Sequence, residues 1–375
     1  MTSDRRLGVA AALTPLGIVA GDVAVADGCV AALGCAPAGA GGLAIPGLID
    51  LHVHGIAGVD FQADGMDGHH RAGPALLATG VTAYQPAFVC APPGALEAAV
   101  GELAGAAPRG APADGRAPRM LGAHLEGPFL SAERLGTHDP AHRRDPDDGE
   151  LDRLLAAGPV AEVTLAPELP GALALVERLA GRGIVASIGH TDATAAQTRA
   201  AVAAWARSVT HLCNAMRPLH HREPGPIGVA LTTDALTIEL IVDGHHLAAE
   251  IVRLVWRAAA GRVALVTDGT AAAGMPDGDY HVGGIAVTLA DGAVRNAAGA
   301  LAGSALTMID AVRNLHALGV PLADAVGAAT RVPARLAGRD DLGVVRPGAP
   351  ADLVVLDDRL DVRTTLVAGA THPAS

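Results

Sequence analysis

The residues of this chain best suited to chemistry are histidines and carboxylates that stand directly after apolar runs. His52 and His54 follow Ile49-Asp50-Leu51 and are separated by Val53. Glu126 closes His124-Leu125-Glu126 and is followed by Gly127-Pro128. His190 follows Val185–Gly189, and His211 follows Ser208–Thr210. The stretch from Asp243 to His246 follows Thr237–Val242, and Asp268 follows Val263–Thr267. Alternate residues of a strand share a face, so His52 and His54 enter one site if their run is a strand. A carboxylate is costly to bury unless it is paired or bound to a cation. Glu126, His190 and His211 together make a His₂Glu donor set with a fourth position left open, the pattern of a catalytic zinc site and not of a closed structural one. His52 and His54 add two further candidate ligands. A water activated by a metal ion needs a base to take its proton, and a departing amine needs an acid. One carboxylate beside the ion can serve both steps, and Asp268 is placed for it.

Each of these residues has a plainer reading when taken alone. His52 and His54 can be half-exposed histidines at a loop start, and Glu126 can be a surface ion-pair partner. His190 and His211 can be satisfied core histidines, and Asp268 can be an Asx turn or helix cap. Their shared position at strand ends favours the joint reading. His124 lies on the same face as Glu126 but deeper, which suits a supporting role better than ligation. The loop His220-His221-Arg222-Glu223-Pro224-Gly225-Pro226 offers an arginine whose fork matches an anion such as phosphate, and is otherwise an ordinary solvated loop.

What must position these groups is a set of strands that end at one face. Eight apolar runs appear in order: Ala44–His54, Ala83–Val89, Met120–Leu125, Val163–Ala166, Ile184–Ile188, Ser208–His211, Thr237–Val242 and Val263–Thr267. Ala- and Arg-rich helical stretches such as Gly171–Ala180 and Ala193–Ala206 follow several of them. This alternation predicts a TIM-type (β/α)₈ barrel, whose active sites lie at the C-terminal ends of the strands. Short strands with Gly turns fill residues 1–45 (Gly17–Ala20, Val23–Ala26, Cys29–Leu33), and two more close the chain at Ala351–Leu356 and Thr364–Ala368. Neither end has a core of its own, so both are expected to pair into one small β-sandwich domain. The expected division is 1–45 and 334–375 for that domain and 46–333 for the metal-dependent catalytic barrel. Residues 269–305 read as Gly-rich loops, with one hairpin around Asp291-Gly292. Residues 107–118 read as a solvated connector.

Composition narrows the field. Hydrophobic residues make up 50% of the 375 and aromatics 2%, so the core is built from Ala, Val, Leu and Ile. All 27 basic residues are Arg, which excludes Schiff-base chemistry on lysine and a metal-bridging carboxylated lysine. With a net charge of −12 and no basic stripe, no nucleic-acid surface is expected. The four cysteines include no C-x-x-C pair, which fits reduced thiols and a cytoplasmic protein. Arg5-Arg6 could mimic the start of an export signal, but Pro15, Gly17, Gly21 and Asp22 interrupt the apolar run, and strands are the expectation there. No run reaches the ~18–20 apolar residues of a membrane span.

With these residues in place, the chain resembles the N-acetylglucosamine-6-phosphate deacetylases of the amidohydrolase superfamily. The resemblance is carried by PGLIDLHVHG (46–55), HLEGPFLS (124–131), GTHDP (136–140), TLAPE (164–168), GHTDAT (189–194), THLCNAM (210–216), REPG (222–225), DGHH (243–246), LVTDG (265–269), LAGSALTM (301–308) and ADLVVLD (351–357). PGLIDLHVHG and ADLVVLD are shared across the superfamily. HLEGPFLS, THLCNAM with REPG, and LAGSALTM are far more specific.

The resemblance implies deacetylation of N-acetylglucosamine 6-phosphate to glucosamine 6-phosphate and acetate, in amino-sugar catabolism or cell-wall recycling. It implies Glu126, His190 and His211 as metal ligands and Asp268 as general base and then acid. Asn214, Ala215 and Arg222 would hold the phosphate, with Arg222 supplied by the neighbouring subunit of a homodimer. His246 would steady the oxyanion and His138 a sugar hydroxyl. Family members divide at the first motif, and those that keep both histidines can bind a second ion, so His52 and His54 allow one or two divalent metals per subunit. Zinc is the first expectation, and the same donors suit iron, manganese or cobalt. The departures are small: Gly269 stands where many relatives carry Ala, and His245 occupies a variable slot. Two rival readings stay open on sequence. One is another amidohydrolase, such as a cyclic-amide hydrolase or a deaminase. The other is an inactive relative that senses sugar phosphates or serves as an assembly partner.

Overall fold

The apolar runs become parallel strands because each is a short, continuous stretch of branched residues with no polar face to turn outward. A computed structural model describes residues 5–105 and 117–374. The strands are β1 (Leu48–Val53), β2 (Val81–Phe88), β3 (Ala123–Glu126), β4 (Val160–Leu165), β5 (Val185–Ile188), β6 (Ser208–Val209), β7 (Thr237–Leu240) and β8 (Val263–Leu265). Each pairs in parallel with the next in chain order. The seam between β8 and β1 is closed past the end of the ladder. Val53 bridges Gly269 in parallel, and the Asp268 N–H donates to the His52 carbonyl at 2.8 Å. Asp50 completes the seam: its Oδ2 accepts the Thr267 hydroxyl at 2.6 Å and its Oδ1 accepts the Thr267 N–H at 3.2 Å.

Helices cover the barrel where the sequence repeats apolar residues at helical spacing. Ala172–Gly181 buries Ala172, Leu175, Val176 and Leu179, a single stripe that faces the strands. One large apolar core runs through the barrel and this helical layer.

The chain ends form a second, smaller core. A six-stranded sheet runs in the order Ala370–Pro373, Val362–Val367, Leu353–Leu356, Leu43–Pro46, Ala11–Thr14, Gly17–Ala20. A three-stranded sheet of Arg5–Arg6, Asp22–Ala26 and Cys29–Cys35 lies with it. Val23, Val25 and Val30 from the smaller sheet pack with Ala44, Leu353 and Leu366 from the larger. The result is the expected small β-sandwich built from both termini. A buried bidentate ion pair fastens it to the barrel, with Arg119 Nε 2.5 Å and Nη2 3.0 Å from the carboxylate of Asp352.

Three details differ from the sequence reading. The run Ala44–His54 is two strands, not one: Leu43–Pro46 joins the terminal sheet and Leu48–Val53 the barrel. Gly47 makes the crossing, because a Cβ there would meet the Thr82 side chain at 2.1 Å. The helix Arg331–Leu336 runs through the division expected at 333 and packs on β1 and β8. Residues 269–305 are not only loops. Gly278–Val282, Ile285–Ala290 and Ala293–Asn296 form an antiparallel sheet with its own apolar cluster of Val282, Val287, Leu289 and Val294. The turn at Asp291-Gly292 is the hairpin that was expected. The connector at 107–118 lies outside the described residues apart from Ala117 and Pro118. Among the described residues, no helix is long and apolar enough to cross a membrane.

Candidate active site

Glu126 ends β3 at the barrel mouth, and five imidazoles surround its carboxylate. Its Oε1 is 2.9 Å from His190 Nε2, 2.9 Å from His211 Nε2 and 3.6 Å from His52 Nε2. Its Oε2 is 3.1 Å from His138 Nε2 and 3.6 Å from His54 Nε2. The chain turns out of the strand directly after it. Gly127 takes φ 97°, and a Cβ there would meet Cys90 Sγ at 2.7 Å, so glycine is required. His190, His211 and Asp268 also sit at strand ends with positive φ, at 46°, 30° and 50°. Left-handed backbone at non-glycine residues is unfavourable and gathers at functional sites.

The donor set fits metal ions. Two ligands on one tetrahedral ion at ~2.0–2.1 Å stand about 3.3–3.4 Å apart. His190 Nε2 and His211 Nε2 are 3.2 Å apart, and His52 Nε2 and His54 Nε2 are 3.3 Å apart. The structure therefore brings together two histidine pairs with Glu126 between them. Three of the four rings are oriented from behind. His54 Nδ1 donates to the Ala87 carbonyl at 3.0 Å, His190 Nδ1 donates to the Arg134 carbonyl at 2.9 Å, and His52 Nδ1 meets Glu239 Oε2 at 3.3 Å. A carbonyl can only accept, so the contacts of His54 and His190 put the proton on Nδ1 and leave the Nε2 lone pair facing the centre. His211 Nδ1 has no partner among the described residues. Burial alone would raise the Glu126 pKa, but the imidazoles of His190, His138 and His52 outweigh it and hold the carboxylate ionised.

Asp268 points into the same space. Its Oδ1 is 3.1 Å from His54 Nε2 and 3.6 Å from His52 Nε2. His246 faces the pocket from the far side, with its Nδ1 2.7 Å from Asp243 Oδ2. The Asp243 backbone turn is fixed by N–H donations from His245 and His246 to its Oδ1. Burial opposes both charges of this pair. The hydrogen bond and charge of each partner prevail, so Asp243 falls to about 2 and His246 rises above its ordinary range.

The remaining candidates divide. Asn214 and Ala215 line the pocket, and the backbone between His211 and Ala215 has positive φ at residues 211, 213 and 215. Such alternation makes a concave nest of N–H groups suited to anions. Asn214 Nδ2 donates to the His211 carbonyl at 3.1 Å, which ties the nest to a candidate ligand. His138 lines the pocket, but both of its ring nitrogens are engaged. Nδ1 accepts from the Cys90 N–H at 3.2 Å, which leaves Nε2 to donate to Glu126. In this arrangement it steadies Glu126. Arg222 is exposed and does not line this chain's own pocket, whose lining among the described residues includes no arginine. His124 is deeper, as expected, and holds the Leu51 carbonyl and the Thr164 hydroxyl at 3.0 and 2.7 Å.

Sequence reasoning missed the polar layer beneath the site. Asp50, Glu162 and Glu239 are buried in the barrel. Burial raises Asp50 to about 7 and Glu162 to about 8; burial, with Glu162 beside it, also lifts Glu239 well above the carboxylate range. The signal was a single acid inside an apolar strand: Ile-Asp-Leu, Ala-Glu-Val and Ile-Glu-Leu. Also missed was the pocket wall of Val282 and Ile285, which the 278–296 sheet carries over the mouth. Its signal was the alternation of Ile285, Val287 and Leu289 with small or polar residues.

Comparison with known proteins agrees with this geometry. Residues 43–372 match the amidohydrolase family. An N-acetylgalactosamine-6-phosphate deacetylase of Escherichia coli O157:H7 is 39% identical over 353 residues, covering 92% of this chain and 93% of that protein. An N-acetylglucosamine-6-phosphate deacetylase of Vibrio furnissii is 36% identical, covering 87% and 82%. Among solved structures, a point mutant of the N-acetyl-D-glucosamine-6-phosphate deacetylase of Mycobacterium smegmatis, in complex with N-acetyl-D-glucosamine-6-phosphate, superposes with a TM-score of 0.90 at 39% identity, covering 97% of this chain and 98% of that one. The Thermotoga maritima deacetylase superposes with a TM-score of 0.90 at 31% identity, covering 99% and 100%. The chain is thus a metal-dependent hydrolase of the amidohydrolase family and belongs, within it, to the N-acetylglucosamine-6-phosphate deacetylases.

Proposed function

We propose that this enzyme hydrolyses the acetamide of N-acetylglucosamine 6-phosphate, releasing acetate and glucosamine 6-phosphate. The observation that carries the reading is the convergence of Glu126, four ligand imidazoles and Asp268 at the barrel mouth. We assign His190 and His211 with Glu126 to one metal position, and His52 and His54 with Glu126 to a second. Zinc is the first expectation, and iron, manganese or cobalt suit the same donors. A divalent ion held there supplies Lewis acidity and a water acid enough to ionise near neutral pH.

The chain's own groups do the rest. Asp268 takes the proton of the attacking water as oxygen adds to the acetyl carbon. It then delivers that proton to the amide nitrogen as the C–N bond breaks. His246 donates from Nε2 to the carbonyl oxygen as charge builds there. Asn214 and the Ala215 N–H receive the phosphate, and that remote contact aligns the amide with Asp268. His138 and the wall of Val282 and Ile285 complete the pocket. The barrel is the catalytic unit, and the terminal β domain braces it. The four free thiols fit a cytoplasmic enzyme. The test is acetate release from the purified protein. N-acetylglucosamine 6-phosphate should turn over, and unphosphorylated N-acetylglucosamine should be a far poorer substrate. The galactosamine epimer is the second reading, favoured by the name of the Escherichia coli relative, and a side-by-side kcat/KM decides between them.

Arg222 is proposed to reach the phosphate of the neighbouring subunit in a homodimer. The reading is supported by a pocket whose described lining residues include no arginine, while Arg222 is exposed. Hydrogen bonds to a charged group contribute about 1.5–3 kcal/mol, so Arg222→Ala should raise KM roughly 10–100-fold with little change in kcat. Mixed dimers of Arg222→Ala with Asp268→Asn should regain activity, because one site then holds both intact residues. No recovery on mixing, in a mixture shown to exchange subunits, removes the shared site.

His246 sets a pH limb. Asp243 is ionised and occupies Nδ1, so Nε2 carries a proton only in the imidazolium form. Activity should fall as pH rises through the elevated His246 pKa. Asp243→Asn removes the cause of the elevation, and the alkaline limb of kcat/KM should move to lower pH. A limb that stays in place shows that it belongs to another group.

A further inference from the structure

Among the described residues, Glu239 is the carboxyl group that meets the ring nitrogen of a candidate ligand from beneath. It lies on β7 with no solvent exposure, and its Oε2 is 3.3 Å from His52 Nδ1. His52 is itself fully buried, and its other nitrogen faces His54, Glu126 and Asp268. The ring therefore has one nitrogen in the site and one on Glu239. Glu239 lies beside Glu162, whose carboxyl group is also held by Ser187 and Ser208. Two acidic side chains buried side by side are a costly arrangement for packing alone. His124 also lies near, but its nitrogens are committed to Leu51 and Thr164. His52, His124 and Glu239 thus do not form a separate ion site.

We propose that Glu239 is a positioning residue for the His52–His54 metal position: it accepts the Nδ1–H of His52 and so fixes the tautomer and ring angle that aim Nε2 at the ion. This rests on the site assignment given under the proposed function. Carboxylates behind ligating histidines orient the ring and raise its basicity, and their loss typically costs ~10–100-fold in metal affinity. Glu239→Gln keeps the shape and puts an amide where the carboxyl group met Nδ1. Glu239→Ala also leaves Nδ1 without an acceptor and should be the weaker binder. Glu162→Gln is the matched control. It removes a buried carboxylate from the same layer without touching His52, and it should not weaken binding.

The experiment is zinc titration of the chelator-stripped full chain, followed by calorimetry and elemental analysis, with the melting temperature of the metal-free protein measured in parallel. Wild type should take up two ions. Glu239→Gln and Glu239→Ala should lose ~10–100-fold at one position and keep the other. Excess zinc should restore kcat with KM unchanged. The metal-free melting temperature should stay level in Glu239→Gln, because the amide fills the same space as the carboxyl group. A purely structural residue would lower that temperature and would not respond to zinc. Unchanged zinc affinity in both Glu239 variants overturns the proposal. So does a wild type that takes up one ion only, which leaves the Glu126–His190–His211 assignment standing. A wild type that takes up none overturns the site assignment itself.

Discussion

Asp268→Asn should lower kcat by roughly 10³–10⁴-fold, while metal content and substrate affinity change little. Asparagine matches the shape of aspartate, so the backbone bonds from Asp268 N–H to His52 and from Ser304 N–H to the Asp268 carbonyl persist. What disappears is a proton acceptor at the first step and a proton donor at the second. Each transfer contributes ~10²–10⁴-fold, and the same oxygen performs both, so the two losses are not independent. Single-turnover acetate release measures the chemical step directly. Elemental analysis and substrate calorimetry show whether the site is otherwise intact. A kcat within tenfold of wild type would mean that another group moves the proton, and the reaction scheme would have to be redrawn.

Glu126→Gln should be harsher, because it removes the metal as well as the charge. The carboxylate is the shared neighbour of five histidines: its Oε1 faces His190, His211 and His52, and its Oε2 faces His138 and His54. An amide keeps one weak oxygen ligand and turns an N–H toward imidazole nitrogens that present lone pairs. Bound metal should fall to background, and activity should fall by at least ~10⁴-fold. Stability should fall too: breaking a buried charge cluster by removing one partner costs about 3–5 kcal/mol. Metal analysis, activity and a denaturant midpoint report the three effects separately. Retention of two ions by Glu126→Gln contradicts the bridging role.

Much of this was readable before any coordinates. The strand ends were legible because a parallel barrel is buried on both faces, so its strands read as apolar runs and the first polar residue after each run marks the mouth. That rule found Glu126, His190, His211 and Asp268 without knowledge of pairing. It could not find Glu239 or Asp50, which sit inside their runs. A lone acid there looks like an interruption of a strand until the opposite wall of the barrel is in view. It also misjudged the 278–296 sheet. Its apolar positions alternate as an antiparallel strand requires, but Gly283, Gly284 and Gly292 between them mimic a loop. The contacts of His138 were beyond sequence for a different reason. They depend on a distant backbone amide, that of Cys90, which occupies Nδ1 and turns Nε2 to Glu126.

The last stave of the barrel meets the first through a handful of contacts at Asp50, His52, Thr267 and Asp268 instead of a full ladder. The latch of the whole cylinder and the proton carrier are thus neighbours on one short strip of backbone. Mild heat or denaturant that springs this latch misplaces the carrier while the other staves are still joined. Catalytic failure should then run ahead of melting, and a trace of activity against temperature should bend downward before any spectroscopic sign of lost helix.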